Sequence, residues 1–357
     1  MLEEETDDFD YQGYLIFNGV YRTDLHQGSE YQGGIYDAES QLIGDLGRFE
    51  DTERDSDKGV IKLLLRDFFR DDDSVSGGLE ELANNLIAIR FLYEDRIEKE
   101  AYVPDEEKLQ TVEIPVVNDA DIYWNYPNYM YFRGAKDDVA EAIDYTSSLL
   151  GADVATDGGS SASSIQPTGF SRFRPVSFDS DFLLWLFQHQ YNDNDPPASA
   201  IEIDTLTDAT VTGDVDVWGG NNVVGDTSQL IESPPLLSAI LQNKSLKMIE
   251  GGFAINDNTL QSEIQTNKVH VKSSVKSIKR ANDTRRMALS IQFLNELVDL
   301  ENHWDNLNPQ DKYPSYDFFL DLFDTCRDQG MTLDSISEPL RREYCNKRGD
   351  PDQEWDL

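Results

Sequence analysis

Cysteine is almost absent from this chain, which has only Cys326 and Cys345 in 357 residues. Two thiols near the C-terminus cannot form a disulfide framework, so a reduced cytosol is the simpler expectation. Histidine is as scarce: His26, His189, His270 and His303 stand at no metal-type spacing to one another or to a cysteine, so no metal site is expected. No apolar run approaches the length of a membrane span. The first ten residues carry six acids and no apolar core, so no signal peptide is expected. The Gly219–Gly220–Asn221–Asn222 run is not followed by Lys-Ser/Thr and is no phosphate loop. No catalytic constellation stands out, and no cofactor is expected.

Positive charge is the other shortage. Against 69 acids stand 30 bases, a formal net of −39, and lysine and arginine are spread thinly. At low salt, repulsion on this scale works against a compact state. At about 1 M salt the Debye length is roughly 3 Å, and neighbouring surface carboxylates hardly sense one another. The composition therefore points to a halophile with molar KCl in its cytoplasm, or to a mobile element living in one. A disordered acidic chain is excluded as the general reading, because 11% aromatic and 39% hydrophobic residues can bury a core. A DNA mimic should gather its carboxylates on one face; here they run along nearly the whole length.

The length suggests two domains. Residues 1–10 read as an acidic tail, 11–150 as an N-terminal α+β domain, and 151–169, rich in Gly, Ser, Ala and Thr, as a linker or long loop. Residues 170–342 read as a C-terminal α+β domain and 343–357 as a frayed polar tail. In the first half, alternation predicts strands at Tyr14–Phe17, at Gly34–Tyr36 with Leu42–Ile43, and at Val112–Val117. Leu79, Leu82, Leu86, Ile89 and Tyr93 recur at helical spacing and predict a helix. The aromatics from Tyr123 to Phe132 predict a strand in a sheet core, and a helix follows from Lys136. In the second half, Phe178 to Phe187 predicts a buried helix and Pro234 opens another. Leu246–Ile255, Thr259–Gln265 and Lys268–Ser273 predict a three-stranded antiparallel meander. Helices are expected from Asn282 or Asp283 to Trp304 and from Pro314 to Gly330.

The strongest local exception to the acidity is basic. Lys268, Lys272, Lys276, Lys279, Arg280, Arg285 and Arg286 lie close together with Asp283 as the one acid among them. Alternation of Lys268, His270 and Lys272 with Val269 and Val271 makes one strand face cationic. Such a segment suits a site for DNA or RNA, or for an acidic protein partner. It equally suits cations paired with the chain's own carboxylates, and phosphate affinity falls steeply with salt. Asp193 with Asp195, or Asp214 with Asp216, could bind a hard cation. The loop at 193 lacks the Gly and the terminal Glu of calcium-loop spacing, and a solvated acidic surface is the simpler reading. The leading expectation is a cytoplasmic, non-enzymatic interaction or accessory subunit with a protein partner and no membrane. The alternative is a nucleic-acid-associated protein using residues 268–286.

Overall fold

Strands and helices mix along the whole described chain, and the named strands pair antiparallel, as the α+β expectation requires. The structure is a computed structural model. It describes residues 14–25, 29–49, 58–71, 79, 81–103, 108–149, 170–193, 196, 200–212, 222–224, 230–255, 258–272 and 283–357. The expected acidic tail and the 151–169 linker lie outside these residues. The chain divides into two units, one from Ile16 to Val176 and one from Ser177 to Leu357, the second also taking in the first residues of β1.

The first unit contains β1 (Tyr14–Leu25), α1 (Ile35–Leu46), β2 (Lys58–Lys62), α2 (Leu65–Asp71) and α3 (Leu82–Asn85). After them come β3 (Leu86–Val103), β4 (Lys108–Asn125), β5 (Tyr129–Arg133), α4 (Lys136–Leu149) and β6 (Phe170–Pro175). Strand order is β2-β3-β4-β5-β1, and β6 pairs β1. The core joins Ala38, Leu42 and Leu46 of α1 to Ile87, Ile89 and Phe91 of β3 and Ile122 and Trp124 of β4.

Two sequence expectations fail here. The strand pair expected at 34–36 and 42–43 is the helix α1, in which Ala38, Leu42 and Leu46 at four-residue spacing make one buried stripe. The helix expected over Leu79–Tyr93 is only the single turn α3, and the chain then runs as β3. Leu86, Ile87, Ala88 and Ile89 are all buried, so both faces of this strand are covered. A strand covered on both sides reads as a continuous apolar run, which periodicity cannot tell from a buried helix.

The second unit contains α5 (Ser180–Tyr191), β7 (Ile201–Thr212), β8 (Asn222–Val224), α6 (Pro234–Leu241) and β9 (Ser245–Ile255). It continues with β10 (Asn258–Gln265), β11 (Lys268–Lys272), α7 (Asp283–Asp305), α8 (Pro309–Lys312), α9 (Tyr316–Asp328) and α10 (Glu338–Arg348). The strands of the expected meander pair in the order β9-β10-β11, but they do not form a sheet of three. β7 adds beside β9, and β8 beside β7. Alternation at 201–203 and 209–217 predicts two strands; 213–217 lie outside the described residues, and 201–212 is instead the single, bulged β7. Its close approach needs a glycine, since a Cβ on Gly251 would stand 2.3 Å from the Thr205 carbonyl.

Asp179, rather than Ser180 or Asp181, caps α5, its side chain accepting from the amides of Asp181 and Phe182. Phe182 through Phe187 are buried without interruption, as expected of a core helix. The C-terminal segment expected to fray is instead built into this unit. Trp355 is buried against Tyr316 and Phe319, and Arg341 donates to the carbonyls of Trp355 and Asp356. No described helix is long and apolar enough to cross a membrane.

Candidate functional site

Of the basic segment, Lys268, Lys272, Arg285 and Arg286 lie among the described residues. Lys268 and Lys272 stand at opposite ends of β11, with His270 midway between them in the strand. The register sets Lys268 against Gln265, His270 against Glu263 and Lys272 against Gln261. His270 Nδ1 lies 3.3 Å from Glu263 Oε1, and its buried Nε2 meets no partner among the described residues. On the first turn of α7, Arg286 Nη1 donates to Asp283 Oδ1 at 3.1 Å, and Arg285 Nη2 to Asn258 Oδ1 at 2.9 Å. Lys276, Lys279 and Arg280 lie outside the described residues. Both arginines of the expected site thus hold their own helix start and the β9–β10 turn.

The polar centres of the two units are satisfied networks. In the first, Asp121 is buried and accepts from Arg90 Nε at 2.7 Å, Arg133 Nη1 at 2.7 Å and the Tyr123 hydroxyl at 2.9 Å. Burial first, and the Asp121 charge second, push the Tyr123 hydroxyl well above its ordinary value. Burial would lower Arg133, but Tyr123 and Asp121 together hold its charged form. In the second unit, a cavity of about 280 Å³ is lined by Asp179, Asp181, Asn243, Glu343, Tyr344 and Lys347, among others. Lys347 Nζ reaches both Asp181 oxygens at 2.8 and 2.9 Å and Glu343 Oε1 at 2.6 Å. Tyr344 donates to Asp181 at 2.8 Å, and Asn243 to Glu343 at 3.1 Å. Burial opposes the charge of Glu343, yet the bonds from Lys347 and Asn243 hold its carboxyl below the ordinary value. Burial dominates at Asp179 and raises it. Among the described residues, both networks pair their carboxylates with cations and with hydroxyl or amide donors.

Both thiols are buried. Burial raises Cys326, and Cys345 donates to the Asp350 carbonyl. His189 packs its ring on Trp185, 4.4 Å between centroids. Asp193 takes a left-handed backbone at φ 51°, while Asp195, Asp214 and Asp216 lie outside the described residues. Among the described residues, no group of three His, Cys, Asp or Glu side chains is placed to hold a metal ion.

The feature that sequence reasoning did not single out is an arm. β3 and β4 pair from Leu86↔Asn125 through Val103↔Lys108, eighteen residues on each strand. Only the inner part belongs to the body. β2 pairs no farther along β3 than Tyr93, and β5 no farther along β4 than Asp121. The core stops at Phe91 and Ala120, with Tyr93 half-buried at its rim. Beyond that rim the two faces of the hairpin differ in charge. One presents Ile97, Val112, Ile114 and Val116, with Asp95 and Lys99; the other presents Glu94, Arg96, Glu98, Glu100 and Glu113, together with Pro115 and the exposed Leu109 and Val117. Ile114 is 40% exposed, and Ile97, Val112 and Val116 are half-buried. The alternation of Val112, Ile114 and Val116 is visible in the sequence; the missing cover is not. No protein-family model matches the chain, and no curated protein is similar to it.

Proposed function

We propose that this protein is a non-catalytic interaction subunit of a salt-adapted system, docking a protein partner through the β3–β4 arm. The apolar stripe at Ile97, Val112, Ile114 and Val116 carries the reading, because it prolongs the core face beyond the last core residues. An isolated two-stranded hairpin is marginal in water, and an apolar face on one invites cover. In molar salt such contact is favoured further, since salt weakens charge contacts and leaves apolar burial in force. The paired networks around Asp121 and Lys347 support a structural role for the polar centres rather than a reaction.

The second reading, nucleic-acid binding by residues 268–286, draws on one placement. Lys272 stands opposite Gln261 of β10, and Arg285 bonds Asn258 three residues earlier on the same strand. One experiment separates the two. The tagged chain and its Ile114→Asp variant are used for pull-down in molar KCl, with protein and nucleic acid both resolved. A stoichiometric protein held by the wild type and lost by the variant supports docking through the arm. Protein retained equally by both rejects it. Nucleic acid retained at that salt, and released when Lys272 and Arg285 become Gln, replaces it with the second reading.

A further inference from the structure

We infer that the occupant of the arm's apolar face is a second copy of the same arm, related by a two-fold axis. The inference rests on the reading of the arm as a docking surface. Its ground is a pattern in the register. Ile97 stands directly opposite Ile114, Asp95 opposite Val116, and Lys99 opposite Val112. All six side chains point to one face.

Around the Ile97–Ile114 pair this face is its own complement. A two-fold axis that lies between the stacked faces and runs across the strands at that pair reverses strand direction and brings β3 onto β3. Ile97 of one copy then meets Ile97 of the other, and Ile114 meets Ile114. Val112 falls on Val116. Asp95 falls on Lys99, and the symmetry makes this pair twice. An isologous interface requires this correspondence, in which a residue two positions before the axis complements the residue two positions after it. Within the single chain, no ion pair joins Asp95 or Lys99 to any described residue, and the Asp95 carboxylate accepts only the neighbouring Arg96 amide.

The opposite face fails the same operation. Glu94, Glu98, Glu100 and Glu113 give it four acids to the single Arg96, which already lies 3.4 Å from Glu113. Two such faces would set carboxylates against carboxylates. The exposed Leu109 and Val117 on that face are flanked by these acids, so the Ile97–Ile114 face carries the self-complementary pattern.

Size sets the strength. About ten residues at about 3.3 Å each give a face roughly 33 Å long and about 10 Å wide, near 330 Å² per copy. That is under half of the roughly 800 Å² per partner of a standard interface, which places the dimer among weak, concentration-dependent ones. The Asp95–Lys99 pairs select the antiparallel arrangement and become partly buried, where salt screens them far less than exposed pairs.

Sedimentation equilibrium of the purified full chain in molar KCl tests this. Wild type should change from monomer near 1 μM to mostly dimer near 200 μM. Ile114→Asp should stay monomeric throughout. Lys99→Asp, which sets like charges together twice, should weaken association about tenfold, and adding Asp95→Lys should recover most of the loss. The charge pair keeps the test decisive if Ile114→Asp disturbs the hairpin. A monomeric wild type near 200 μM overturns the inference, as does a double reversal no better than the single one. If the wild type is monomeric while Ile114→Asp still releases a different protein in the pull-down, self-pairing fails and docking through the arm stands. If neither association depends on Ile114, both fail.

Discussion

Lys347 Nζ lies 2.8 Å from Asp181 Oδ2, and this contact fastens α10 to the first turn of α5 across 166 residues of chain. The same ammonium bonds Glu343 one turn earlier on α10. Burial alone would lower the Lys347 pKa, but the two carboxylates raise it. Lys347→Met should therefore leave Asp181 with only its bond from Tyr344. Both partners keep some solvent, so the expected loss is about 1–2 kcal/mol, or a fall of roughly 3–6 °C in the melting temperature. Differential scanning calorimetry in molar KCl measures it. A change below about 0.3 kcal/mol would mean that α10 is held by packing alone.

Asp121 is the stricter case. Its carboxylate is 2% exposed and compensates Arg90 and Arg133 at once. Asp121→Asn keeps the shape but leaves the Arg133 guanidinium facing a neutral amide, while Arg90 keeps Asp119 at 3.5 Å. The expected cost is about 3–5 kcal/mol. Tyr123→Phe removes one neutral donor from the same carboxylate and should cost only about 1 kcal/mol. Equal effects in urea titrations would contradict this assignment of charge.

Acid should loosen the second unit through Glu343. Its folded pKa lies below the ordinary 4.5, so its contribution is complete above that value and is lost as the pH falls through the folded pKa. Wild type and Glu343→Gln should thus differ in melting temperature at pH 7 and converge as the pH drops below 4.5. Asp179, raised by burial, acts with the opposite sign and gains from protonation. A constant difference between wild type and Glu343→Gln at all pH values would exclude the linkage.

Salt should govern the whole molecule. With a net charge of −39, raising KCl from about 0.1 M to about 3 M should raise the melting temperature steeply, most of the change falling where the Debye length shrinks to roughly 3 Å. Circular dichroism melts at several KCl concentrations test the point. A flat profile would remove the halophilic reading.

Four physical signals were legible in the residues themselves. Pro234, the hairpin turn at Thr266–Asn267, the stripe of Met287, Ile291, Leu294 and Val298, and the apolar run Phe182–Phe187 each placed an element near its observed position. They work because a turn residue or a one-sided stripe constrains the local backbone directly. Leu86–Phe91 carried no such asymmetry, and its partners β2 and β4 decided that it is a strand. The C-terminus looked polar because its anchor is a single Trp355 and an Arg341 that bonds carbonyls, contacts that no local pattern announces.

The sequence by itself determined the charge, the α+β class, and the alternation that makes Val112, Ile114 and Val116 one side of a strand. All of these are local or additive properties of the chain. Only the tertiary structure decided that Ile97 stands opposite Ile114 and that the core ends at Phe91 and Ala120. It also bonded Arg285 to Asn258 and Arg286 to Asp283. Register and burial arise between segments far apart in sequence, so no window of neighbouring residues contains them.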